Sequence, residues 1–156
     1  MKTIKNILIV LCVILSMTSC LHAGLDDIEE YKGNDITAVS RVEYRYISDE
    51  ISSASGQHLV KNITLGYSGC VIDTKSAIVD IPITVPSNFP ESELPNLSAS
   101  ELVVVVTIST AARIEPIGDA PALGVPGDWS KPNQYKVTAA DGSSKNWTIT
   151  INGLDQ

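Results

Sequence analysis

From Asp35 onward, short runs of Val, Ile, Thr and Tyr alternate with polar residues and are broken by Gly, Pro, Asn and Ser, a period-two pattern that predicts strands. Val42, Tyr44 and Tyr46 alternate with Arg41, Glu43 and Arg45, so this strand is expected to turn an apolar face inward and a charged face outward. Residues 59–65 and 69–72 are weaker strand candidates. Residues 77–85 place Ile81, Ile83 and Val85 on one face and Asp80 on the other, in water, before Pro86 and Pro90 end the run by withholding ladder donors. Residues 102–108 are almost continuously apolar and β-branched, which predicts a central strand covered on both faces rather than a helix. The clearest signal is near the C-terminus. Tyr135, Val137 and Ala139 alternate with polar residues, Asp141-Gly142 supplies a turn, and Trp147, Ile149 and Ile151 alternate again, which together predict a hairpin. Outside the strands only a turn around residues 90–94 is expected, and no internal repeat is evident. The fold class is all-β: a single sandwich of about seven antiparallel strands over residues 35–153.

The first residues follow a different pattern. Lys2 and Lys5 precede an unbroken apolar run over residues 7–15, and Met17-Thr18-Ser19-Cys20 stands where a small-residue cleavage motif belongs. The run has about half the ~20 apolar residues that a membrane-spanning helix needs. Residues 1–19 look like a bacterial lipoprotein signal, with Cys20 as the lipidated mature N-terminus, carrying palmitate or a similar acyl chain. The other reading is an ordinary secretory signal cut nearby, because Leu is usual where Met17 stands and Gly or Ala where Ser19 stands. Residues 20–34 then form an acidic tether holding Asp26, Asp27, Glu29 and Glu30. It could reach ~50 Å fully extended, or ~20 Å as a flexible coil. Acids soon after a lipidated cysteine resemble the export signals that send Bacteroidetes lipoproteins to the outer face of the outer membrane; a solvated linker explains them almost as well.

Charge narrows the partners. The chain carries a net charge of −7, and without residues 1–19, which hold two of its eleven basic residues and none of its eighteen acids, the charge is −9. No window concentrates Lys and Arg, which argues against nucleic acid and against electrostatic attachment to anionic lipid. The lipid anchor at Cys20 is therefore the expected membrane contact. Of the three cysteines, Cys12 leaves with the signal, Cys20 is acylated and Cys70 stands alone, so the mature domain has no internal disulfide to form. Cys70 reads either as a reactive or bridging thiol or, preferably, as a small buried hydrophobe between Gly69 and Val71.

A family resemblance is carried by residues 99–151. Thr107-Ile108-Ser109 leads into Ala111-Ala112-Arg113-Ile114-Glu115-Pro116 and Gly118; Asp128-Trp129-Ser130 with Pro132 leads into residues 135–142 and then Lys145-Asn146-Trp147-Thr148-Ile149-Thr150. Upstream, residues 80–86 fit the preceding strand and proline. This pattern resembles Ig-like or cadherin-like modules of Bacteroidetes surface lipoproteins, many of them domains of unknown function. Trp129 stands where that family usually has Phe, and Trp147 where it has Tyr. The resemblance implies an Ig-like β-sandwich on the cell envelope, often beside polysaccharide-uptake proteins, and no catalytic residue to transfer.

The residues themselves advertise no enzyme. His22 and His58 are isolated, and Asp119, Asp128 and Asp141 are scattered near turns, where Asp commonly bonds its own backbone, so no metal site or cofactor is expected. Glycan binding by a sandwich uses exposed aromatic platforms. Tyr44, Tyr46, Tyr135 and Trp147 share faces with aliphatic residues and read as core, and a core plug is the favoured reading of Trp129, so that Tyr31 in the tether and Tyr67 in a loop remain; Trp129 and Tyr67 are the candidate ligand contacts. Edge strands and the Gly- and Pro-rich loop over residues 123–133 could instead meet a protein, with an ordinary connection between strands the slightly favoured reading of the loop. The expected function is a non-catalytic accessory or protein-interaction lipoprotein of a surface assembly at the outer membrane, partnered by an outer-membrane protein. The alternative is a glycan-binding lipoprotein of a polysaccharide-uptake system.

Overall fold

The computed structural model describes residues 31–154. The signal segment 1–19, Cys20 and the tether through residue 30 lie outside the described residues, as does His22. Among the described residues no helix is long and apolar enough to cross a membrane.

Two sheets form a sandwich, as the alternating pattern predicts. The chain runs through β1 (Ile36–Ile51), β2 (His58–Thr64), β3 (Val71–Asp73), β4 (Ile78–Pro82), β5 (Leu102–Ile108), β6 (Arg113–Pro116), β7 (Pro126–Gly127), β8 (Asn133–Thr138) and β9 (Ser144–Asn152). One sheet has the order β2-β1-β5-β7 and the other β3-β4-β9-β8-β6. A 3-10 helix over Glu91–Asn96 stands where the turn was expected, and a second, Ala99–Glu101, leads into β5.

Alternation decides which side chains fill the space between the sheets. Val42, Tyr44, Leu102 and Val104 point inward from the first sheet; Val79, Ile81, Tyr135, Val137, Trp147 and Ile149 meet them from the second, all buried. Each fully buried aliphatic side chain contributes about 1.5–3 kcal/mol through loss of apolar surface to water. The first half of β5 is covered on both faces, as its continuous apolar run requires, with Leu102, Val103 and Val104 all buried.

The topology departs from the expectation in two details. Among the described residues there are nine strands rather than about seven, the additional ones as short as the two-residue β7. One pair is parallel rather than antiparallel: β4 lies along β9 from Ile78↔Thr148 to Pro82↔Asn152. Parallel neighbours need a crossover instead of a hairpin, and the chain between these strands visits the other sheet through β5, so no local turn announces the pairing.

Smaller departures have local causes. β4 ends at Pro82, with one further bond from Ile83 N to Asn152 O at 2.7 Å, and Val85 beyond it is 41% exposed instead of joining the face of Ile81 and Ile83. Tyr46 is half-buried, stacked on Tyr44 with ring centroids 6.0 Å apart, because β5 pairs with β1 only as far as Tyr44. Glu43, expected in water, is 7% exposed. It lies between Thr64 and buried Val103 in register, with Arg41 Nε 3.4 Å from its carboxylate.

The C-terminal hairpin forms as the sequence pattern requires. β8 and β9 pair from Asn133↔Ile149 to Thr138↔Ser144. Gly142 takes a φ of 84°, and the Asp141 carboxylate accepts from the Ser143 N–H at 2.8 Å.

Candidate functional site

Trp129 reaches the interior through a short polar turn. The Asp128 carboxylate accepts the Ser130 N–H at 2.9 Å and the Ser130 hydroxyl at 2.5 Å, which bends the chain so that the indole faces inward. The same hydroxyl holds the Asp128 carboxyl below its ordinary pKa. Asn133, which the sequence did not single out, closes the turn by donating to the carbonyls of Asp128 at 2.8 Å and Lys131 at 3.2 Å. The indole is 1% exposed and stacks on Tyr135, with ring centroids 6.0 Å apart. It is a core side chain, in line with the favoured reading, and offers no open face. Its Nε1 has no hydrogen-bond partner among the described residues.

Tyr135 secures the neighbouring loop. Its hydroxyl donates to the Pro121 carbonyl at 2.7 Å, and burial raises its phenol above the ordinary range. Gly124 N donates to Val104 O at 2.9 Å, Leu123 packs on the core, and Gly127 lies against Pro121 too closely to admit a Cβ. The loop over residues 123–133, readable as a contact surface or as an ordinary connection, is therefore held down along much of its length.

Tyr67, the second candidate ligand contact, is half-buried and donates its hydroxyl to Ser40 O at 2.8 Å. The structure does not bring it together with Trp129 as one aromatic platform, since Trp129 is enclosed. Cys70 is half-buried and packs against the core. Burial, and secondarily the charge of Asp80, pushes its thiol pKa up, which lowers the thiolate fraction available for nucleophilic chemistry. Asp128 and Asp141 bond their own turns as expected, and Asp119 pairs with Lys131.

The most exposed apolar surface lies elsewhere. Past Tyr44, β1 loses β5 as a neighbour, and residues 45–51 pair with β2 alone, so the sheet narrows to a two-stranded arm. Ile47 is 71% exposed, Ile51 61% and Val60 59%, with Leu59 also exposed. Ile47 and Val60 sit directly opposite each other in register and form one apolar spot. The arm is fastened internally: Ser48 Oγ donates to Leu59 O at 3.1 Å, His58 Nδ1 bonds Ser48 O at 2.9 Å, and Lys61 pairs with Glu50. Beside it runs an open groove of about 440 Å³ whose lining includes Arg45, Ile47, Val60, Glu101 and Pro126. Arg45 Nε donates to Asn62 Oδ1 at 2.9 Å. The period-two pattern could not reveal this arm, because alternation reads the same whether or not a second sheet lies beneath it.

No curated protein matches the chain. Among solved structures, it is similar to a crystal structure of a protein from Bacteroides fragilis NCTC 9343 that is inferred to be secreted. The two share 34% sequence identity with a TM-score of 0.70, over 79% of this chain and 97% of that one. The matching family model covers β1 through nearly all of β9. The chain belongs to the DUF5018-related family, matched over residues 36–150.

Proposed function

We propose that this chain is a non-catalytic lipoprotein of the cell envelope: an Ig-like sandwich anchored at the outer membrane through acylated Cys20, which works by docking to protein. The observation that carries the docking part is the β1–β2 arm, where Ile47, Ile51 and Val60 are each more than half exposed on a hairpin fastened by its own side-chain hydrogen bonds. Isolated two-stranded hairpins are marginal in water, and a contiguous apolar surface on one is stabilised when a partner covers it. The anchored, exported part draws support from the apolar run that ends near Cys20 and from the similarity to a Bacteroides protein inferred to be secreted. Polysaccharide binding draws less support, since Trp129 is enclosed and the Tyr67 hydroxyl is already engaged.

The test is a cross-linked pull-down of the tagged full-length chain from its native envelope, read by mass spectrometry beside metabolic labelling with palmitate. Palmitate incorporation that disappears in Cys20→Ala, and a protein partner lost in Ile47→Asp, are the expected results. Unlabelled protein would overturn the anchor, and recovery of the chain only as a lone monomer would overturn docking.

A further inference from the structure

We propose that the occupant of the arm is a second copy of this chain, packed face to face about a two-fold axis; this rests on the reading of the arm as a docking element. Three observations select a copy of itself over an unrelated partner. The first is charge. Residues 45–62 carry Arg45 and Lys61 against Asp49 and Glu50, a net charge of zero in a chain whose net charge is −7. With Glu101 of the adjoining groove the surface carries one net negative charge, so two such acidic molecules repel less here than over most of their surfaces.

The second is the pairing of signs within the groove. Arg45 and Glu101 both line it, and neither belongs to an ion pair among the described residues. A two-fold contact is reciprocal, so it sets Arg45 of each copy against Glu101 of the other and makes two equivalent pairs. The third is continuity. Ile47 and Val60 line the same groove as Arg45 and Glu101, so a second copy that covers the apolar pair also comes within reach of both charges. Edge-to-edge pairing of β2 is the poorer arrangement, because Lys61 is its middle residue and would oppose Lys61 of the second copy in a centred antiparallel pair.

The experiment uses the full-length chain in its native envelope with Cys70→Ser and Val60→Cys, oxidised with copper phenanthroline and run on a non-reducing gel. The expected result is a band at twice the monomer mass, absent when Lys136→Cys on β8 replaces Val60→Cys. Arg45→Glu in the cross-linking background should reduce the dimer band by about tenfold or more, and adding Glu101→Arg should restore it. An unchanged urea midpoint in Arg45→Glu distinguishes a lost contact between copies from a destabilised fold, because Arg45 and Glu101 also share one groove within each copy. No dimer band while the pull-down still recovers a partner that Ile47→Asp loses would overturn self-pairing and leave docking in place. No dimer band and no such partner would overturn both.

Discussion

The indole Nε1 of Trp147 donates to the main-chain carbonyl of Asn34 at 3.0 Å, joining the last strand to the residues that precede the first. Lys145, two residues earlier on β9, reinforces the join. Its ammonium lies 2.5 Å from Asp35 Oδ1 and 5.5 Å from the centroid of the Trp147 ring. The segment at which residues 31–35 enter the sandwich is thus fixed by a buried aromatic rather than by surface charge alone. Trp147→Phe should keep most of the packing, lose the hydrogen bond and cost about 1–2 kcal/mol. Trp147→Ala should cost about 3–5 kcal/mol. Urea denaturation followed by circular dichroism checks both, and equal losses would show that the hydrogen bond contributes nothing separable.

Trp129 should behave differently. Its indole N–H is buried and unpartnered among the described residues, so Trp129→Phe removes a poorly satisfied donor while keeping a ring against Tyr135. The change should lie within about 1 kcal/mol of neutral, in contrast to a loss of about 3–5 kcal/mol for Trp129→Ala. A large loss in the Phe variant, measured as a shifted denaturation midpoint, would mean that the N–H is satisfied in solution by an ordered water.

Two glycines allow backbone strain to be separated from collision. Gly142 (φ 84°) has nothing within 4 Å of a built Cβ, whereas at Gly153 (φ 95°) a Cβ would lie 2.8 Å from Ile83 O. Gly142→Ala should therefore cost about 1 kcal/mol from conformation alone. Gly153→Ala should cost more, about 2–3 kcal/mol, because main chain must also move. Thermal denaturation of the pair gives the difference directly, and equal shifts would contradict the close approach at Ile83.

Alkaline pH should destabilise the fold through Tyr44. Burial, and then its hydrogen bond to Glu93 at 3.1 Å, push its phenol from 10.0 up to about 12. A phenol with a raised folded pKa is held neutral by the fold. Its contribution is fully present below the unfolded value of 10.0 and is lost as pH rises through about 12. Urea midpoints should fall over this window, and the fall should be shallower in Tyr44→Phe. A Tyr44→Phe profile identical to that of the parent would assign the alkaline loss to other groups, with buried Tyr135 next to be tested.

What could be read in the sequence depended on whether a strand keeps strict period two and meets its partner locally. The hairpin of β8 and β9 does both, with Gly142 at its turn, and was legible residue by residue. The first half of β1 was not. Register shifts between Ile36 and Ala38 and between Val39 and Arg41 break the alternation there, so the strand could be read only from Arg41. The burial of Glu43 depends on Val103, which lies about sixty residues away in sequence, and the parallel β4–β9 pair on a contact of similar separation. For the site, the sequence picked out aromatic residues as candidates, yet the exposed surface is aliphatic. Its exposure follows from where β5 ends, which no property of Ile47 or Val60 encodes.

β1 spans 16 residues without interruption, from the latch near Trp147 to the tip of the arm, a length of up to about 50 Å. Were the proposed anchor upstream of Ile36 and the proposed partner at the arm near Ile51 to pull on the chain, the tension would run along one covalent backbone. Neither sheet would have to shear or unzip to carry it, so the sandwich would act as bracing around a single tie-rod and stay folded under loads that would part its ladders if applied across them.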